Sequence, residues 1–302
     1  MASKRTVLIT GCSDGGLGSY LALAFHKAGW RVIASARNPN KLENVVTVGI
    51  ETIQLDVTSE ESIAKAVSQV SELTSGSLDV LLNNAGAGYS MPLLDLDLNE
   101  GRKLFELNVW SIISMTRAFL PLLAKSQHGG GGGMVVNNTS CSSVPAGMQP
   151  FAGAYAASKA AAAGLTEVLR LELEPFNIKV INMMTGVVRS NFLDNIPHTT
   201  LPPTSVYSFA KEPVEKAMAG GDNRKTGADP EKWADSVVQG LSKSSPPYWL
   251  WRGTFSTVAR IVSLLPIGIL DSTVKKMMGL DEVERRVKEL GGPSAVLKKM
   301  LS

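Results

Sequence analysis

The sequence predicts an α/β fold: a doubly wound parallel sheet in three layers, α/β/α, as a single domain with a C-terminal helical extension. Two observations carry that prediction. Short apolar runs alternate with stretches of helical periodicity as far as Arg252, the pattern of parallel strands joined by crossover helices. A glycine-rich turn also stands between the first apolar run and the first helical stretch, where such a sheet would cradle a diphosphate. Size permits it: 302 residues, 44% apolar and 19% charged, can bury a substantial core.

Taken in order, Thr6–Ile9 is an apolar run with β-branched residues and reads as a strand. It leads into Thr10-Gly11-Cys12-Ser13-Asp14-Gly15-Gly16-Leu17-Gly18, and Tyr20–Ala28 follows as a helix. The glycines permit positive φ and close backbone approach, while the helix start offers free N–H groups to an anion. A plain βα turn is the less favoured reading of this loop, though its spacing is not G-x-G-x-x-G. Arg31–Ala36 and Glu51–Leu55 are the next strands, then Glu60–Leu73 is a helix and Val80–Leu82 a strand. Asn99–Lys125 reads as one long helical stretch. The run Gly129–Gly133 has no Lys-Ser/Thr after it and is expected to be a flexible connection rather than a phosphate loop. Met134–Asn138 is a strand, Gly153–Glu174 a helix and Lys179–Met184 a strand.

From Val187 to Asp229 the periodicity fades amid Pro197, Pro202, Pro203, Pro213 and Gly220-Gly221, and a loop of that length is usually functional or disordered. Asp229–Leu241 is a helix with Pro230 in its first turn, and Pro246–Arg252 the last strand. Phe255–Leu270 is apolar apart from Arg260 and a few small polar residues, and a lysine- and arginine-rich stretch follows. It is interrupted and too short for a confident membrane span. A helix packing over a substrate pocket is the preferred reading; an amphipathic surface anchor is the other. Residues 1–253 therefore form the main unit, with 187–229 as its long loop, and 254–302 the extension.

Several classes are excluded. A net charge of +3 without a basic, aromatic-interleaved stripe argues against nucleic acid. Cys12 and Cys141 are too few for a disulfide framework, and packing is their simplest role. His26, His128 and His198 are scattered without ligand spacing, so no metal is expected. Met1–Arg5 carries no secretory h-region, and the Asn-Xaa-Ser/Thr matches at Asn137 and Asn138 fall in an expected buried strand.

Tyr155-Ala156-Ala157-Ser158-Lys159 decides the functional reading. On a helix, positions i and i+4 share a face, so phenol and ammonium can enter one site. A nearby cation lowers a phenol's pKa and makes it usable for acid–base chemistry. Standing alone, the spacing would be an ordinary solvated helix face.

Together with the Thr10–Gly18 loop, Asn83-Asn84-Ala85-Gly86, Asn108 and Ser142, this pair resembles the short-chain dehydrogenase/reductase superfamily. The resemblance runs strongly from Thr6 to Ser190 and loosely to Gly253; the glycine loop is one residue longer than the usual pattern. That loop, the stretch Leu169–Phe176 and Thr185-Gly186 in place of Pro-Gly look like the branch of fungal NADPH-dependent 1-acyldihydroxyacetone-phosphate reductases.

The resemblance implies a Rossmann-type nucleotide fold and reversible hydride transfer between a carbonyl and an alcohol. Tyr155 would carry the proton, and Ser142, thirteen positions earlier, would bond the carbonyl oxygen, with Ser140 and Ser143 near enough to compete for that role. Lys159 would lower the Tyr155 pKa and bond the nicotinamide ribose, and Asn108, in the Leu104–Ile112 helix, would hold a water beside it. Gly11, Ser13, Gly16, Leu17 and Gly18 would hold the diphosphate. Asp56 and Val57 would meet the adenine; Asn83, Ala85, Gly86, Val188 and Ser190 would line the cofactor.

No Asp or Glu lies between Val32 and Lys41, and Arg37, helped by Ser13 and Lys41, selects NADP(H). Asp14 would oppose that phosphate and is expected to point to solvent. The expected substrate is a bulky lipophilic ketone, with Lys211, Lys216 or Arg224 as partners if it carries a phosphate. A tailoring reductase of a fungal polyketide or terpenoid pathway is the alternative. A non-catalytic dinucleotide sensor would lack Tyr or Lys, and this chain has both. The expected setting is the cytoplasm or the periphery of the endoplasmic reticulum or a lipid droplet, as a homodimer or homotetramer.

Overall fold

The computed structural model describes residues 4–128, 131–220 and 226–300. Gly129, Gly130 and Arg224 lie outside them. A 7-stranded sheet runs through the molecule, its strands β1 (Thr6–Ile9), β2 (Arg31–Ala36), β3 (Glu51–Gln54), β4 (Val80–Asn83), β5 (Met134–Asn138), β6 (Lys179–Thr185) and β7 (Trp249–Arg252). All pairings are parallel, in the order β3-β2-β1-β4-β5-β6-β7. Chain direction across the sheet reverses between β1 and β4, so a crevice opens beyond their carboxyl ends.

The strands are apolar on both faces because both are covered. One face (Val7, Ile9, Val80, Leu82, Val136, Ile181) packs beneath helix α1 (Leu17–Lys27) and a later helix (Pro230–Leu241) carrying Trp233 and Val237. Helix α2 (Glu43–Val46) adds Val45 to that layer. The other face (Leu8, Ile33, Leu81, Val135, Val180) lies against α3 (Glu60–Thr74), with Ser59 as its side-chain N-cap. At the amino-terminal end of the sheet the buried Asp79 carboxylate accepts from Thr6 N (2.7 Å), Thr6 Oγ1 (2.9 Å) and Ser126 Oγ (2.5 Å).

The long helix expected over Asn99–Lys125 is broken in two. Helix α4 (Leu98–Phe105) passes into a π-helical turn, Glu106–Trp110, before α5 (Ser111–Leu123) resumes. A π turn inserts a residue into the hydrogen-bond ladder and turns one side chain inward, here the buried Asn108. Helix α6 (Gly153–Leu173) carries Tyr155 and Lys159. In the 187–229 loop, α7 (Lys211–Met218) forms a third apolar cluster with Tyr89, Met91, Leu104, Phe151 and Leu201, against which Tyr155 packs. The Pro230–Leu241 helix is α8.

The extension holds α9 (Ser256–Val262), α10 (Asp271–Met277), α11 (Leu280–Glu289) and α12 (Pro293–Met300). The first part of its apolar run packs against Cys141–Ser143 and Pro145–Gly147, which follow β5. Ser256 and Ala259 of α9 are buried, but Leu264 and Ile267 are 85% and 89% exposed. It is α11, through Val283 and Leu280, that joins the cluster beside Tyr155. No helix among the described residues is long and apolar enough to cross a membrane.

Candidate active site

The glycine loop folds back so closely that side chains are excluded. A Cβ on Gly18 would lie 2.4 Å from Gly11 O, and one on Gly11, at φ +73°, 2.8 Å from Ala85 Cα. Helix α1 then starts after Gly16 with no side-chain cap and no acid in its first turn, leaving N–H groups free for an anion. The tight backbone and free N–H groups suit a dinucleotide diphosphate, and Ser13, Gly16, Leu17 and Gly18 line that turn. Asp14 does not point to solvent. Its carboxylate caps α2, accepting from Glu43 N (3.0 Å) and Asn44 N (3.1 Å), while its N–H donates to Lys41 O (2.8 Å). The longer loop thus reaches the neighbouring helix start, where a carboxylate is favoured.

Arg37 lies exposed at the end of β2 and close enough to Asp56 to act on its charge. Burial pushes the Asp56 carboxyl up, but two hydrogen bonds from Thr58 and the Arg37 guanidinium outweigh it and leave it below its ordinary value. Val57 is buried in the core, so its backbone rather than its side chain faces any adenine. Asn83 likewise turns inward, donating to Asn137 Oδ1 (2.9 Å) across the β4–β5 register. Its neighbour Asn84 holds the loops together instead, donating to Thr10 O (2.9 Å) and Gly11 O (3.2 Å). Val188 bridges to Ala228, and Ser190 Oγ accepts from Phe192 N (3.4 Å).

Asn108 Oδ1 accepts from Ala87 N (2.9 Å), and its Nδ2 donates to Ala87 O (2.9 Å) and Ser158 Oγ (3.0 Å). It thereby fastens the β4 loop to α6. A Cβ on Gly86 would lie 3.1 Å from Asn108 Oδ1 and 3.4 Å from Lys159 Nζ, so these three groups meet. Lys159 Nζ donates to Asn138 O (3.0 Å) at the end of β5. Asn138 was not singled out by sequence, yet its side chain also donates to Asn84 Oδ1 (2.8 Å) and accepts from Thr185 Oγ1 (2.6 Å).

Of the three nearby serines, Ser140 is the one whose side chain acts on the Tyr155 phenol, opposing its rise, while Ser142 contributes a backbone N–H to Ser140 Oγ (3.1 Å). Two 3₁₀ turns, Cys141–Ser143 and Pro145–Gly147, take up the extra positions between β5 and α6. The electrostatics also differ from expectation. Burial pushes the Tyr155 phenol up to about 12, Ser140 opposing and Cys141 adding to it. Burial brings Lys159 down to about 8, and its amine is engaged with Asn138 rather than the phenol. Burial sets the direction for both groups.

The fold, the glycine cradle and this cluster define a nucleotide-dependent oxidoreductase. A family model described as short chain dehydrogenase matches residues 5–200, and the chain belongs to that family. It is 44% identical over 291 residues to a short-chain dehydrogenase/reductase of Pestalotiopsis microspora, covering 95% of this chain and 99% of the relative. It is 34% identical over 297 residues to an NADPH-dependent 1-acyldihydroxyacetone phosphate reductase of Schizosaccharomyces pombe, covering 93% and 96%. The crystal structure of a short-chain dehydrogenase from Streptomyces avermitilis superposes with a TM-score of 0.71 at 30% identity, covering 94% and 98%. The chain is an oxidoreductase acting on CH–OH and C=O groups.

Proposed function

We propose that this chain is an NADP(H)-dependent reductase that converts the ketone of a bulky lipophilic compound to an alcohol, with Tyr155 as proton donor. The observation that carries the reading is the convergence of Tyr155, Ser140, Lys159, Asn108 and Gly86 beside a glycine loop able to hold a dinucleotide. NADPH, when bound, supplies the hydride. Tyr155 stays protonated across the neutral range, because burial holds it up to about 12, and gives its hydroxyl proton to the carbonyl oxygen as charge builds there. Ser140 donates a hydrogen bond to the same oxygen. Lys159, charged below about pH 8, stabilises the phenolate left behind. Asn108 keeps the Ala87 peptide in register with them.

Arg37 and the lack of an acid from Val32 to Lys41 support NADP(H) over NAD(H), as does the name of the fission-yeast relative. The apolar cluster of loop and α11 beside Tyr155 supports the lipophilic substrate. Acyl-dihydroxyacetone phosphate is one example; of its expected phosphate partners, Lys211 is engaged with Glu215 at 3.8 Å. The aromatic lining by Phe151, Phe192 and Tyr207 favours a second reading, a tailoring reductase of polycyclic ketones.

NADPH oxidation across long-chain and polycyclic ketones tests the proposal. Tyr155→Phe should lower turnover by about 10²- to 10⁴-fold with dinucleotide binding retained. Ser140→Ala should fall well below Ser142→Ala. Near-normal turnover in Tyr155→Phe would remove the phenol from the mechanism.

A further inference from the structure

The chain leaving β6 lies across the mouth of the site and is tied down at both ends. Asn191 N donates to Gly15 O (3.0 Å), and its Nδ2 to Asp14 O (3.2 Å). At the far end Thr199 Oγ1 donates to Ser90 O (2.7 Å). Between them Asn195 N donates to Asn191 O (3.0 Å), closing one turn. That turn sets Phe192 and Ile196, four positions apart, on a common side. The Phe192 ring lies 5.6 Å from the Tyr155 ring, inclined at 53°. A Cβ on Gly88 would meet Ile196 Cδ1 at 2.8 Å and Phe192 Cζ at 3.0 Å, so both side chains rest on the backbone of the β4 loop.

A carbonyl must reach the Tyr155 hydroxyl, and Phe192 stands against that ring with Ile196 beside it over Gly88. We infer that Phe192 and Ile196 form a cap over Tyr155 that the substrate displaces, held shut by the Asn191 bonds to the glycine loop. The cap selects by size. Opening it exposes apolar surface of both residues, and only a ketone with comparable apolar surface offsets that loss. Small ketones reach Tyr155 against the full opening penalty, and bulky ones replace the cap contact by contact. Phe192 and Ile196 are therefore specificity-determining residues, and Asn191 is a positioning residue. A side chain at Gly88 would press on the same two side chains and shift them.

The inference rests on Tyr155 being the proton donor, and the experiment separates the two claims. Hydrogen exchange of the full chain, which needs no turnover, reads the latch. Asn191→Ala should speed exchange of the amides from Phe192 to Ile196 severalfold, because a tie between loops is lost. Rates equal to the wild type there would overturn the latch. Turnover reads the cap: Phe192→Ala should raise kcat/KM for a small ketone such as cyclohexanone about tenfold while a polycyclic ketone gains nothing. Phe192→Leu, which keeps a branched apolar side chain but not the ring, guards against misfolding and should move the ratio the same way by less. An unchanged ratio of the two substrates in both variants would overturn the cap. Faster exchange in a protein that reduces no ketone would support the latch and sink the proposed function alone.

Discussion

Lys159 is the residue whose charge state the fold alters most usefully. Burial brings it to about 8 from an ordinary 10.5. Between those values the unfolded chain holds a proton that the folded chain has released, so stability rises with pH across that window. Below about pH 8 the penalty of the buried ammonium is fully present. Tyr155 acts later and oppositely: held up to about 12 from 10, it contributes stability that is lost as pH rises from 10 to 12. Urea unfolding of the cofactor-free protein should therefore show a gain of roughly 2 kcal/mol from Lys159 between pH 8 and 10. Lys159→Met should abolish that gain, and an equal rise in the variant would assign it to other groups. Tyr155, Lys159 and Asn108 were legible because spacing and residue type announce them. Ser140 could be read only as a rival of Ser142, because counting back from Tyr155 cannot see how tightly the intervening chain is wound. Nor could Asn138 be read from sequence, since Lys159 meets its backbone carbonyl.

Elements depart from simple periodicity where the site needs them to. The π turn at Glu106–Trp110 has no signature in an apolar repeat; its only trace was an internal Asn. The turns between β5 and α6 depend on Gly147, where a Cβ would lie 1.9 Å from Cys141 O and 2.5 Å from Cys141 C. Backbone cannot yield as a side-chain tip can, so Gly147→Ala should displace the Ser140–Ser143 segment. Its melting temperature should fall and turnover drop with it. Gly164, exposed within α6 with nothing within 4 Å of an added Cβ, is the contrast. Gly164→Ala should stabilise by up to about 1 kcal/mol with kinetics unchanged. Thermal melts and steady-state rates of the pair check both outcomes; an active, stable Gly147→Ala protein would show that the turn is not needed.

At the scale of the whole molecule, most strands and crossover helices were readable within a residue or two, because β-branched apolar runs buried on both faces leave little choice. The last strand starts at Trp249 rather than Pro246. The extension was not readable in this way, since hydrophobicity alone does not say which way a short segment faces. Its outward residues separate two roles. Leu264→Ser with Ile267→Ser should leave kinetics on small and large ketones alike unchanged, because both side chains stand in solvent. Removing everything after Gly253 should raise KM for the large ketone far more, since Val283 and the rest of α11 leave the cluster beside Tyr155. Equal effects of truncation on both substrates would assign the extension to folding. The Asp79 fastening at the amino-terminal end of the sheet has a wider consequence. The groups argued to do chemistry gather at the opposite end, on the loops that leave the strands there and on the helices those loops lead into. A damaged fastener therefore registers in how much folded protein exists, and an altered loop in what that protein accepts. A descendant of this chain could change its diet by rewriting one rim of the sheet and inherit its durability, untouched, from the other.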